Sequence, residues 1–150
     1  MGADVNVDEA AFLAMGRDVL ARQPFSVLLG TELTALAPGR CELVLPVVDR
    51  LKQQMGLVHG GVISYLADNA LTYAGGTALR VPVVTSEYKI NYLRPALGER
   101  LVARAEAVQV GRSQAVCRCD VLMVQDGRET LCAIAQGTIV KASQPGEAAS

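Results

Sequence analysis

The chain has one histidine, His59, and it stands directly before Gly60 and Gly61. A lone carboxylate, Asp68, follows in a stretch that otherwise avoids charge. Two glycines opening a helix leave backbone N–H groups without intrahelical acceptors at the positive end of the helix dipole, and such an end can hold an oxyanion. Asp68 falls eight residues after Gly60, about 12 Å along a helix axis. A carboxylate among apolar neighbours is either satisfied by a hydrogen-bonding partner or kept for work as a base or nucleophile, and at this point both readings stand. Any histidine-dependent mechanism must use His59. A Ser-His-Asp hydrolase needs a serine on a G-x-S-x-G elbow, which is missing. Gly56, Gly60 and Gly61 do not have the spacing of a glycine-rich phosphate loop, and nothing sets a cysteine beside His59 as a nucleophile pair.

The elements that must position these groups can be read from periodicity. Residues 60–79 are small or apolar around most of a helical wheel, which predicts a central helix buried on nearly all sides. Its length of about 30 Å matches a membrane span, but Asp68, Asn69, Thr72 and the mid-helix glycines argue against lipid. Gly75 and Gly76 should weaken the helix by about 1 kcal/mol each, so they are expected where another element passes close by. Upstream, residues 4–23 carry Phe12, Leu13, Met15, Val19 and Leu20 on a helical period and predict a peripheral amphipathic helix within residues 1–23, stopped by Pro24. Residues 31–37 and 40–47 flank Pro38-Gly39 as a hairpin, and residues 49–58, with Gln53, Gln54 and Gly56, form a loop feeding the central helix. Downstream, residues 83–93, 100–110, 114–125 and 129–141 alternate as half-buried antiparallel strands of one sheet. Small inward residues such as Ala103, Ala105, Ala107, Ala133 and Ala135 would let that sheet curl around the helix. The polar stretch 143–150 is expected to lack order.

Composition bounds the rest. At 150 residues and 51% hydrophobic content, one domain over residues 1–150 with a real core is expected. A net charge of −1 with scattered arginines gives no basic field for nucleic acid. Residues 1–4 show no basic stretch leading into an apolar run, so no secretion signal is read and the cytoplasm is the expected compartment, without membrane attachment. Cys41, Cys117, Cys119 and Cys132 lack zinc-site spacing and read as small core residues, so neither metal nor cofactor is expected.

Taken together, the helix, hairpin, His-Gly-Gly loop, long buried helix and run of four strands resemble the hotdog fold, a curved antiparallel sheet around a long helix (α+β). Over residues 23–141 the chain is similar to the PaaI-like acyl-CoA thioesterases of phenylacetic acid degradation type. The resemblance rests on Gln53-x-x-Gly56-x-x-His59-Gly60-Gly61, then Leu66-Ala67-Asp68, Thr85-Ser86 and Asn91-Tyr92-Leu93-Arg94-Pro95. It implies that the Gly60 N–H polarises a thioester carbonyl, that Gln53 and His59 hold and orient it, and that Asp68 attacks or activates water placed by Thr85 or Ser86. It further implies Gly61 and Asn69 at the substrate and Arg94 and Arg112 near the CoA phosphates. The assembly it implies is a homodimer, joined as a dimer of dimers into a homotetramer, acting on acyl-CoA without cofactor. The chain pairs Gln53 with Asp68, whereas the phenylacetate branch usually carries Asn at the first position and Gln-bearing branches tend to carry Glu at the second. The resemblance therefore names fold and reaction but not the acyl group, for which Tyr65, Tyr73 and Tyr88 are candidate pocket residues.

Two other readings compete. A non-catalytic acyl-CoA-binding hotdog protein would not need Asp68, and a hotdog hydratase or dehydratase would carry its histidine in a different loop context.

Overall fold

The computed structural model describes residues 3–143, with side chains from Asp8 onward. Its centre is helix α3, Gly60–Leu79. Helix α1 (Ala3–Ala21) and helix α2 (Pro24–Leu29) precede it, as do strands β1 (Glu32–Ala37) and β2 (Arg40–Pro46) and a single 3₁₀ turn at Asp49–Leu51. Strands β3 (Val83–Tyr92), β4 (Arg100–Val110), β5 (Gln114–Gln125) and β6 (Arg128–Lys141) follow. All six strands form one antiparallel sheet in the order β1-β2-β4-β5-β6-β3, which leaves β1 and β3 as the edges.

The sheet packs against α3 through small side chains. Leu66, Ala67, Ala70, Leu71 and Ala74 of the helix are fully buried, as are Ala103 of β4, Ala115 of β5 and Ala133 of β6. Large residues at the sheet positions would hold the strands off the helix, so the alanines set the closeness of the wrap. Gly75 marks the tightest place: a methyl there would come within 2.5 Å of the Ile139 Cβ on β6. The expected helix, hairpin, strands and single sheet are thus present, and the arrangement is the hotdog fold.

Two local expectations are corrected. Pro24 ends α1, as read, but it also opens α2, because a proline in the first turn surrenders an N–H that has no helical acceptor anyway. A six-residue helix is too short to show a period, which is why the sequence hid it. The inward face of α1 is the expected one only in part: Phe12, Leu13 and Leu20 pack toward the core together with Gly16, whereas Met15 and Val19 are exposed. Gly16 seats the helix, since a methyl there would lie 2.5 Å from Leu36 Cδ2, and its carbonyl accepts the Tyr73 hydroxyl at 2.8 Å.

All four cysteines are buried and unpaired by disulfides. Burial pushes their thiols up, to about 11 for Cys117 and Cys132 and about 12 for Cys41, with Cys119 raised as well. The outer face of the sheet is charged instead. Arg104 donates to Glu42 at 2.7 Å and, in a two-pronged contact, to Glu129 at 2.8 and 2.6 Å, and Arg118 pairs with Glu106. Among the described residues no helix is long and apolar enough to cross a membrane. The stretch expected to lack order lies, apart from Ser143, outside the described residues.

Candidate active site

The start of α3 is built by the loop before it. His59 is the N-cap residue, in extended backbone, and its Nδ1 accepts the Gly61 N–H at 2.8 Å. In the neutral ring the proton therefore sits on Nε2. The His59 carbonyl takes the Val62 N–H at 2.9 Å, and its own N–H goes to the Leu51 carbonyl. Gly60 is left over: its N–H meets no acceptor among the described residues. One unspent donor at the positive end of a 20-residue helix is the arrangement that an oxyanion completes.

From that point a stripe of polar groups runs along α3 at every fourth residue. The Gly60 carbonyl accepts the Tyr92 hydroxyl at 3.1 Å, Ser64 shares a hydrogen bond with the Tyr88 hydroxyl, and Asp68 Oδ1 accepts from Thr85 Oγ1 at 2.6 Å. Thr72 closes the row, donating to the Asp68 carbonyl at 2.9 Å and lying 3.1 Å from Thr85 Oγ1. Positions four apart share a helix face, so 60, 64, 68 and 72 all look toward β3, whose Tyr92, Tyr88 and Thr85 meet them in descending order. The bulge in β3 between Thr85 and Glu87 lets this row keep step with the helix. Asp68 is half buried and held by one hydroxyl through one oxygen. It is a satisfied carboxylate with Oδ2 still to use.

The remaining expected site residues divide by location. Gln53 sits in the loop beside the helix start, where its side-chain oxygen accepts the Met55 N–H and its backbone N–H meets the Leu57 carbonyl at 2.8 Å. Asn69 points away from the Asp68 stripe, donating to Gln23 Oε1 at 3.1 Å and Ser26 Oγ at 3.3 Å in a polar knot that ties α2 to α3 through Tyr65. Ser86 is the exposed residue skipped at the β3 bulge. Arg94 and Arg112 are both exposed but lie at opposite ends of the sheet. Arg94 follows the end of β3 and reaches the Leu131 carbonyl, whereas Arg112 turns β4 into β5, beside the Ser113 carbonyl that accepts from Lys141. Gly60, Gly61, His59 and Gln53 therefore form one group, and Asp68 with Thr85 forms another further along the same helix. Sequence reasoning missed Ser64, Thr72 and Tyr92. The four-residue spacing of polar groups within an apolar helix was the signal that would have found the first two.

Residues 55–130 match the model of the Thioesterase superfamily. The chain belongs to that superfamily. Membership makes thioester hydrolysis its reaction class. Among relatives of the superfamily, human acyl-coenzyme A thioesterase 13 is 32% identical over 81% of this chain and 85% of its own. A solved thioesterase family protein from Silicibacter pomeroyi is 39% identical, covers 83% of this chain and 93% of its own, and superposes with a TM-score of 0.78. The Escherichia coli PaaI protein from the phenylacetic acid degradation operon shares the fold, with a TM-score of 0.77, 21% identity and coverage of 85% of this chain and 91% of its own. The superfamily match begins just after Gln53 and runs through α3 into β6, so it includes His59, Gly60, Gly61, Asp68 and Thr85.

Proposed function

We propose that this thioesterase hydrolyses an acyl- or aryl-CoA to the free acid and CoA, in a site shared between two subunits of one hotdog domain each. The observation that carries this reading is the separation of two complementary groups on one rigid helix: an unspent N–H at Gly60 and a hydroxyl-held carboxylate at Asp68. Attack on a carbonyl needs the oxyanion donor and the base within about 3–4 Å of the reacting group, yet eight residues of helix hold these two about 12 Å apart. One helix cannot serve both ends. A two-fold axis setting two α3 helices antiparallel brings Asp68 of one subunit to Gly60 of the other and makes two equal sites. The β3 edge, with Val84, Tyr92 and Leu93 exposed, is open to such a partner.

In that site the Gly60 N–H donates to the thioester oxygen as negative charge develops, which in comparable sites is worth about 3 kcal/mol. His59 keeps the Gly61 N–H occupied, and with Gln53 it frames the carbonyl. Asp68, oriented by Thr85, acts as nucleophile or as general base toward water. Arg94 lies at the Gly60 end of its chain and Arg112 at the far end, so in a shared site the two would meet the CoA phosphates from different subunits.

A panel of acyl- and aryl-CoAs assayed for thiol release tests the reading. Turnover of one or more members is the expected result. Binding without release would make the chain an acyl-CoA sensor, and a change in double-bond absorbance without release would make it a hydratase or dehydratase.

A further inference from the structure

From Val58 to Val62 every backbone N–H except that of Gly60 has an acceptor among the described residues: Val58 donates to the Ala96 carbonyl and His59 to the Leu51 carbonyl, both at 2.9 Å, Gly61 to His59 Nδ1 and Val62 to the His59 carbonyl. The exception sits in a pair of glycines, the residues that restrict backbone rotation least. A free donor serves an oxyanion only if it keeps one direction, so something beyond the two glycines has to hold it. The peptide unit between Gly60 and Gly61 is gripped at both ends. Its N–H goes to His59 Nδ1 at 2.8 Å, and its carbonyl accepts the Tyr92 hydroxyl at 3.1 Å. With that unit fixed, the torsions at Gly60 have little play and the N–H on the preceding unit keeps its aim. Tyr92 is itself anchored: it ends β3, pairs with the fully buried Ala133 of β6, and precedes Leu93, whose N–H donates to the Cys132 carbonyl at 2.8 Å. Its ring lies along Gly60, with Cε1, Cζ and the hydroxyl oxygen each 3.6 Å from where a Gly60 Cβ would stand. The side chain is exposed, so burial of the phenol does not demand this bond.

We infer that Tyr92 is a positioning residue: its hydroxyl clamps the Gly60 carbonyl so that the Gly60 N–H keeps one direction, aimed at the thioester oxygen. The inference rests on the reading of Gly60 as the oxyanion donor. Tyr92 acts through a peptide unit and touches no reacting atom. Its loss is therefore felt where charge has developed on the oxygen, in the transition state, more than in ground-state binding.

Two measurements test the clamp, one with substrate and one without. Thiol release from benzoyl-CoA, phenylacetyl-CoA and hexanoyl-CoA would be compared in wild type, in Tyr92→Phe, which keeps the ring beside Gly60, and in Tyr92→Leu, which removes it. Both variants should lose about tenfold in kcat, with KM within about twofold of wild type. In ligand-free protein carrying isotope-labelled glycine, exchange of the Gly61 N–H with solvent, followed by NMR, should quicken about tenfold in both variants while the melting temperature holds. An unchanged kcat, a change confined to KM, or a loss in Tyr92→Leu that Tyr92→Phe does not share overturns the inference, because the hydroxyl is then not what holds the donor. Unchanged Gly61 exchange overturns it as well. If none of the three is a substrate, the fastest member of the wider acyl-CoA panel replaces them. A wild type that releases no thiol from any member loses the hydrolase reading, and the exchange result alone then upholds or overturns the clamp.

Discussion

At the scale of single residues, Asp68 was legible because a charge in an apolar helix stands out, and its partner Thr85 came with the family pattern. Asn69 was not legible: its partners, Gln23 and Ser26, lie on another element, and nothing local to residue 69 shows that its amide is spent there. Tyr88 and Tyr65 looked alike in sequence and were separated only by which neighbours took their protons. Asp68→Asn should keep the fold and lower kcat by about 10²–10⁴, since the amide preserves shape and loses the base. Asp68→Glu should retain part of the activity. Near-normal turnover in Asp68→Asn would remove the carboxylate from the reaction. Thr85→Val deletes the hydroxyl that holds Oδ1 and should lower kcat less than Asp68→Asn does, with KM little changed.

At the scale of elements, alternation in the strands and the apolar wheel of α3 carried nearly the whole fold. What they could not carry was α2, too short for a period, and the part of the α1 face where Gly16, rather than Met15 or Val19, lets Leu33 and Leu36 approach. Gly60→Pro should abolish hydrolysis while leaving the circular-dichroism spectrum unchanged. Proline is at home in the first turn, and a Cβ at this position lies in ordinary contact with the Tyr92 side chain at 3.6 Å, but proline deletes the N–H proposed for the thioester oxygen. Gly61→Ala should be milder for turnover although its methyl crowds His59 Nδ1 at 3.0 Å, because the Gly60 donor survives. Retained hydrolysis in Gly60→Pro would move the oxyanion site elsewhere. Gly75→Ala drives a methyl into Ile139 and should lower Tm by an amount matching about 1–3 kcal/mol, read from thermal melts.

The whole molecule adds what no single chain displays. If Gly60 and Asp68 of different subunits make each site, Asp68→Asn and Gln53→Ala proteins should each be impaired alone. Co-refolded in equal amounts, they should recover about a quarter of wild-type thiol release, because half the dimers are mixed and each mixed dimer holds one intact site. No recovery, with mixed dimers verified by mass, would put all the groups in one subunit. The outer sheet face predicts an acid response. Burial alone would raise Glu42, but hydrogen bonds from Arg104 and Thr34 outweigh it, and Arg104 likewise holds Glu129 below the usual carboxylate range. Carboxylates lowered on folding stabilise above their unfolded pKa, about 4.3, and lose that contribution as pH falls through it toward the folded value. Tm should therefore decline below about pH 5, and in Arg104→Gln, which removes the shared partner, that decline should be shallower.

The buried cysteines bear on how this enzyme can be assayed. A colorimetric reagent that counts thiolates finds none within reach in the folded chain, because each sulfur is both enclosed and pushed toward its protonated form. The colour that develops during turnover is then CoA alone, with no background from the catalyst. Unfolding reverses this, and a denatured chain should titrate four thiols in place of none. An inactive variant that has merely collapsed announces itself by a burst of colour before substrate is added, whereas one that has lost only its chemistry stays silent.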